Sequence, residues 1–548
     1  MTKNRVQLIL IISLHLLILF QTYELYPQAN SFPLIQITTP TGQHEIYYNF
    51  TSNTCTYSSN PFSKSWTSRF PKRFYQQNDF TITDPTQGPS HLLTYNHLNS
   101  SVSPDLMNSL PNTSYISSGF NLPINENNPG QYFWWLYPEQ IRLSWTEREG
   151  EMRVTWVTYL QYSQQLAYRS ILCKDNLNQT DWKFLQPTTF VFDEGQNMIR
   201  YQYIHSVIIP NLQPECNYEY LVGETCFWSD LFKFRGRTPY SNINETNIEK
   251  QVSMIVIGDW GAGILGTYSK KLLDEDLSTR VVDGIFHLGD FAYDLNDREG
   301  RQGDDWLNMV QSITSKVPYM TVPGNHEVDY NMTHYSNRFK MPINEANEGL
   351  GWFYSFNLGP AHFIMFNTEQ YFEDGLKDSI LTHKNWLISD LKQANSTRNQ
   401  VPWIILLTHH SFYCSVPKSE CLGQADILKA DLEDLLNDYK VDIVFQAHVH
   451  NYERDACIYK EKIQGQVYDH YYLDPSTPVY IVNGNAGNYH GHNDPFPEVL
   501  PDFYIFGSQD YGYGRLQVWN KTHIYYEQFS SEQLTEIDYF WLINTRQD

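Results

Sequence analysis

The chain has 548 residues, with 61 Asp and Glu against 38 Lys and Arg, and a formal net charge of −23. So acidic a balance repels nucleic-acid phosphates and anionic lipid, which argues against nucleic-acid binding. Hydrophobic residues make up 41% and aromatics 15%, ample for two or three packed domains in a chain too long for one ordinary core.

Residues 1–28 place Lys3 and Arg5 ahead of an apolar run from Val6 to Phe20, with polar sequence after it. This is the layout of a secretory signal peptide. The run is short for a membrane span, and no later segment is apolar enough to leave a stable one after cleavage. Asn-x-Ser/Thr triplets beginning at Asn99, Asn178, Asn331 and Asn520, among others, agree with an exported glycoprotein. Seven cysteines leave one odd, and Cys216/Cys226 and Cys414/Cys421 are the near pairs for short-loop bridges.

Residues 29–132, rich in Asn, Ser, Thr, Pro and Tyr without a sustained period, read as an irregular region of no assigned role. From 133 to 237 the texture changes to short alternating runs such as "IRLSWTEREGEMRVTWV" and "YQYIHSVII". These predict an all-β sandwich with Trp156 buried in it. A linker over 238–250 follows. Over 251–535, buried-type strands ("VSMIVIGD", "DGIFHLGD", "PYMTVPGNH", "PWIILLTHH", "VDIVFQAHVH", "PVYIVNGNAG") alternate with helical stretches such as "KDSILTHKNWLISDLKQA". That pattern predicts an α/β layered domain, helices over a largely parallel sheet or pair of sheets. Residues 536–548 read as a C-terminal tail.

The polar residues gather at the predicted strand ends. Asp259 follows the first strand; Asp290 and Tyr293 follow the second; Asn325, His326 and Glu327 follow the third. His409 ends a later strand, and His448 and His450 the next. Alone, "GDWG" reads as a turn, whereas "GNHE" is more specific and the His-x-His pair is a fair metal signal. Five in order, each where an open α/β sheet forms its sites, point instead to a metal centre: two carboxylates, a phenol, an amide oxygen and three imidazoles. They suffice for two ions if one carboxylate bridges. His287 and His362, inside strands, read as packed core. His410 is expected on the opposite face from His409, and His490 and His492 are candidates to line a pocket. The "YCSVPKSEC" stretch reads as a bridged loop on the substrate side.

The set "GDWG", "GDFAY", "GNHE", "LLTHH" and "AHVH" resembles the purple acid phosphatases of the metallophosphoesterase superfamily, from about residue 133 to 530. It is most similar to the larger animal-type and plant-type forms. Leu406 replaces the usual Val of the fourth motif and Ala447 the usual Gly of the fifth; neither removes a ligand. The resemblance implies a metallophosphoesterase-type layered β-sandwich flanked by helices and preceded by a fibronectin-III-like domain. It implies one Fe(III) held by Asp259, Asp290, Tyr293 and His450. A second, divalent ion (Fe, Zn or Mn) would be held by bridging Asp290, Asn325, His409 and His448. Asn325, His326, His450 and, more weakly, His492 would contact substrate, with His326 as general acid and Glu327 orienting its neighbours.

The expected activity is acid phosphatase chemistry on small phosphomonoesters, a hydroxide made available by the ions attacking phosphorus. The expected location is extracellular or a lysosome-like compartment. A phosphoesterase acting on diesters or nucleotide pyrophosphates is an alternative, as is a secreted binding protein with an inactive site. The ferric-type Tyr293 weighs against the first and the full set of donors against the second.

Overall fold

The computed structural model describes residues 137–545, apart from 160–162, 174–181, 194–200, 225–226, 240–251, 345–348, 419, 467 and 493–494, and several short strands before residue 96. The predicted signal peptide, Cys226 and most of the predicted linker lie outside the described residues.

Part of the region expected to be irregular is strand. Phe32–Thr39, Gly42–Asn49 and Thr54–Tyr57 form a three-stranded antiparallel sheet. The runs "LIQIT" and "EIYYN" have the β-branched and aromatic residues that suit a pleated surface.

The next unit consists of two antiparallel sheets. One orders Thr188–Asp193, Tyr201–Ile209, Met152–Thr158 and Glu139–Ser144; the other is built on Gln165–Leu172 and Asn217–Glu224. Trp156 is buried as expected, and so are Trp145 and Tyr220. A disulfide joins Cys173 to Cys216, which corrects the expected Cys216/Cys226 pairing. The partner 43 residues away in sequence is brought near by the pairing of Leu172 with Asn217, a long-range proximity that spacing does not reveal. Cys414 does pair with Cys421, and Cys457 is free and buried.

The larger unit is built on two mixed sheets. The first has a parallel trio, Val252–Ile257, Gly284–His287 and Tyr319–Thr321, continued on one side by antiparallel strands Gly512–Val518, His523–Ser530 and Thr535–Ile543. The second has four parallel strands, Ala361–Met365, Trp403–Leu407, Ile443–Gln446 and Val479–Asn483. Alternation assigns the faces of this second sheet. Phe363, Met365, Ile405, Leu407 and Phe445 share one core with Ile255, Phe286 and Leu516 of the first sheet. Ile364, Ile404, Leu406 and Val444 pack instead against Leu387 and Leu391 of the Ile380–Ser396 helix and against Leu428 and Leu432.

The expected C-terminal tail is a correction: Thr535–Ile543 pairs with His523–Ser530 and Tyr471–Leu473. Asp538, Phe540 and Leu542 point inward by period two, and Asp538 takes the Arg454 guanidinium at 2.6 Å.

The N-terminal sandwich is not a loose appendage. Ile141, Leu143 and Trp145 belong to the same core as the first sheet. Between the units, Asp304 accepts hydrogen bonds from Gln140 (3.0 Å), Tyr159 (3.1 Å), Gln202 and Arg338 (2.7 Å), all buried.

Candidate metal centre

Five of the parallel strands, Val252–Ile257, Gly284–His287, Tyr319–Thr321, Trp403–Leu407 and Ile443–Gln446, deliver polar residues just past their carboxyl ends. Asp259, Asp290, Tyr293 and His448 all sit at positive φ, 58°, 59°, 51° and 67°. Such backbone costs of order 1–3 kcal/mol per residue and persists where the surrounding structure fixes it. Gly289, at φ 90°, has no alternative: a Cβ there would lie 2.6 Å from His409 Nδ1 and 2.7 Å from the Gly324 nitrogen. A Cβ on Gly324 would lie 2.4 Å from Asp290 Oδ1. Ala447 fits because Gly258 faces it; a second Cβ at Gly258 would come within 2.7 Å of the Ala447 methyl.

The donors converge in two overlapping groups. Asp259, Asp290 and His450 form one, and Asp290, His409 and His448 the other, each with its ligand atoms within 4.8 Å of one another. In the first, the Tyr293 hydroxyl donates to Asp259 Oδ1 at 3.2 Å and lies 3.0 Å from His450 Nε2. In the second, His409 Nε2 lies 3.0 Å from Asn325 Oδ1, 3.2 Å from His448 Nδ1 and 3.3 Å from Asp290 Oδ1. All seven expected donors are therefore in one place.

Asp259 is 0% exposed and Asp290 1%, and only imidazoles form ion pairs with them among the described residues. Buried carboxylates need a compensating cation. Oxygen and imidazole donors of this kind suit iron, zinc or manganese. The residues fit a metal pair with Asp290 shared.

Electrostatics agree. Burial pushes the Asp259 carboxyl up, against the pull of the His450 hydrogen bond. Burial would also raise Asp290, but the charges of His409 and His326 outweigh it and the carboxyl lies below its usual value. The Tyr293 phenol is pushed well up by burial and by Asp259 and Asp290.

Supporting contacts fix the donors. Glu327 accepts from the backbone nitrogens of Asp290 (2.8 Å), Gly324 (2.8 Å) and Phe291 (2.9 Å), clasping two of the turns. The Leu288 carbonyl, 2.6 Å from His409 Nδ1, accepts that ring's proton and leaves Nε2 free to ligate. His326 stands at the rim, its Nδ1 2.5 Å from Asp294 and its Nε2 3.9 Å from Asp290 Oδ2. Burial lowers its basicity, yet Asp290 and Asp294 outweigh that and raise it to about 10.

Sequence reasoning missed Asp294, although it sits one residue beyond Tyr293; nothing in its spacing singled it out. His410 also departs from expectation. It packs against His448 with ring centroids 4.1 Å apart and meets Glu369 at 3.1 Å, because the chain turns after His409 and no longer alternates as a strand. His287 is packed between Phe291 and Trp306, with Nδ1 2.6 Å from the Tyr319 hydroxyl. His362 meets Asn357 and Asp390. His490 stands beside Tyr293 and His326. His492 does not join them: it stacks on Tyr511 with ring centroids 4.1 Å apart and meets Glu532 at 3.2 Å. The bridged loop after His409 packs Cys414 and Val416 against Val449, between the two histidines of the fifth motif.

Three family models match in chain order: "Purple acid Phosphatase, N-terminal domain" over residues 138–236, "Calcineurin-like phosphoesterase" over 252–452, and "Iron/zinc purple acid phosphatase-like protein C" over 477–539. The chain is 36% identical over 416 residues to acid phosphatase type 7 of Danio rerio, covering 73% of this chain and 89% of that one. It is 34% identical over 433 residues to the Homo sapiens acid phosphatase type 7, covering 74% and 91%. A solved yellow lupin purple acid phosphatase shares the fold at a TM-score of 0.63 and 23% identity, over 74% of each chain. On its three consecutive domains, its ordered donors and its animal relatives, the chain belongs to the purple acid phosphatase family.

Proposed function

We propose that the chain is an exported acid phosphatase, secreted or held in a lysosome-like compartment, that hydrolyses small phosphate monoesters at a two-ion centre. The observation that carries this is the sharing of Asp290 by two donor groups. Asp259, Tyr293 and His450 would hold Fe(III) on one side of Asp290. Asn325, His409 and His448 would hold a divalent Fe, Zn or Mn on the other. When bound, the ions supply Lewis acidity toward the phosphoryl oxygens and acidify a water to provide the nucleophile.

The Tyr293 proton is held hard by burial and two carboxylates, so only a strong Lewis acid competes for the phenolate. Ferric iron is such an acid, and phenolate-to-iron charge transfer would colour the protein.

The rest of the chemistry belongs to the chain. Asp294 fixes the His326 ring through Nδ1, which leaves Nε2 to meet the substrate. Asp294, hydrogen-bonded at Nδ1, favours the protonated His326, the state needed to donate to a departing alkoxide. Glu327 holds the Asp290 and Asn325 turns at a fixed separation. Metal analysis with a visible spectrum and an assay on aryl and alkyl monoesters tests the reading. About two ions per chain, one of them iron, with a charge-transfer band and monoester turnover at acid pH, are expected. A colourless protein, or turnover of diesters alone, would overturn it.

A further inference from the structure

The loop after the Val479–Asn483 strand reads "GNAGNYHGHN". Its root is clamped: the Gly261 nitrogen donates to the Gly487 carbonyl at 3.1 Å, and a Cβ on Gly487 would lie 2.5 Å from the Leu265 carbonyl oxygen. Asn488 then turns the chain by accepting from the His490 nitrogen at 2.7 Å. The tip that this turn presents, Tyr489 and His490, is exposed.

The His490 ring is not aimed at solvent alone. Its centroid lies 5.6 Å from the Tyr293 ring, 6.1 Å from His326 and 6.3 Å from His450, lying parallel to the last within 5°. Among the described residues neither ring nitrogen has a hydrogen-bond partner, whereas His326 is tied to Asp294 and His450 lies against Tyr293 and Asp259. An imidazole held on a braced loop, with its nitrogens uncommitted and three site residues around it, is placed to meet whatever enters the centre.

We propose that His490 is a substrate-binding residue, its ring N–H donating to an outward-facing phosphoryl oxygen of the bound monoester or of inorganic phosphate. The assignment rests on the phosphatase reading above and extends it to a residue that no motif of the metal centre includes. His326 and His490 then flank the phosphoryl group together. His326 serves the leaving oxygen and His490 the charge that stays on phosphorus.

The test is calorimetric titration of inorganic phosphate into the metal-loaded protein and its His490→Ala and His490→Gln variants, alongside KM and kcat on one aryl monoester. Loss of one hydrogen bond to a charged group should weaken phosphate binding roughly tenfold in His490→Ala. KM should rise similarly, and kcat should change little. His490→Gln keeps an N–H and should recover part of the affinity. Metal content and the visible band should equal those of the parent in both variants, since His490 is no ligand. Unchanged phosphate affinity in His490→Ala would overturn the proposal, as would loss of metal in step with loss of affinity. Phosphate binding is read directly, so a parent protein that binds phosphate without turning over monoesters counts against the phosphatase reading and leaves this contact measurable.

Discussion

The molecule buries two clusters of polar side chains, and they are built on opposite plans. Between the N-terminal sandwich and the catalytic unit, the Asp304 carboxylate is met by the Arg338 guanidinium, two amides and a phenol, with Asp304 and Arg338 on helices. At the strand ends, Asp259 and Asp290 are met, among the described residues, by imidazoles, a phenol and backbone nitrogens, and the chain is bent into positive φ to bring them together. The first cluster carries its own counter-charge. The second has no Lys or Arg against its carboxylates among the described residues, the arrangement that the proposed ions would complete. A buried carboxylate matched by the chain itself holds domains together, whereas one left in excess and held by strained backbone marks the chemistry.

The contrast breaks most sharply at Asp290. Asp290→Asn should release or misplace both ions and reduce turnover beyond the roughly 10²–10⁴-fold that losing a general acid costs. Metal analysis checks it, and equal metal content in parent and variant would remove the bridging role.

His326→Asn should keep the metal and lose about 10²–10⁴-fold on alkyl monoesters, whose leaving groups need a proton, and less on aryl ones. His326 is raised to about 10, so its proton is present in acid and lost on the alkaline side. The variant should therefore flatten the alkaline fall of the pH–rate profile. An unchanged alkaline limb, or equal losses on both substrates, would limit His326 to binding phosphate.

Asp304→Ala tests the other cluster. It strands the Arg338 guanidinium, which is 0% exposed, and removing one partner of such a pair typically costs about 3–5 kcal/mol. Thermal unfolding should shift down while metal content per folded chain stays that of the parent. Loss of metal with a normal melting temperature would erase the distinction between the clusters.

Tyr293→Phe sharpens the comparison within the centre. The ring is 4% exposed and still packs, so the fold should hold while the visible band disappears. A coloured variant would move the iron to other ligands.

The smallest effect concerns acid. Burial lowers His205 to about 3 and His383 to about 4. Between their ordinary value and these, the unfolded chain takes up protons that the folded one does not. Each should cost up to about 1.4 kcal/mol per pH unit as pH falls below about 6.5. Unfolding followed from pH 7 to 4 in parent and His205→Gln checks this; the variant should show the shallower acid loss.

Much of the centre was legible in the sequence because parallel strands impose order. Each buried run ends in a turn on the same side of its sheet, so a polar residue just past the run has only one neighbourhood to enter. That argument found Asp259, Asp290, Tyr293, Asn325, His409, His448 and His450. It could not find Asp294, whose partnership with His326 depends on how two turns approach each other. Nor could it separate His490 from His492, two residues apart on a loop that follows no period.

Composition and pattern by themselves determined the acidic charge, the change from short alternating strands to alternating strands and helices, and the order of the donors. Only the tertiary structure decided the Cys173–Cys216 bridge, the final strand at Thr535–Ile543, the Asp304 cluster and the pairing of donors around Asp290. Periodicity is local and survives in one dimension. These contacts join residues far apart in sequence, and only packing brings them within reach.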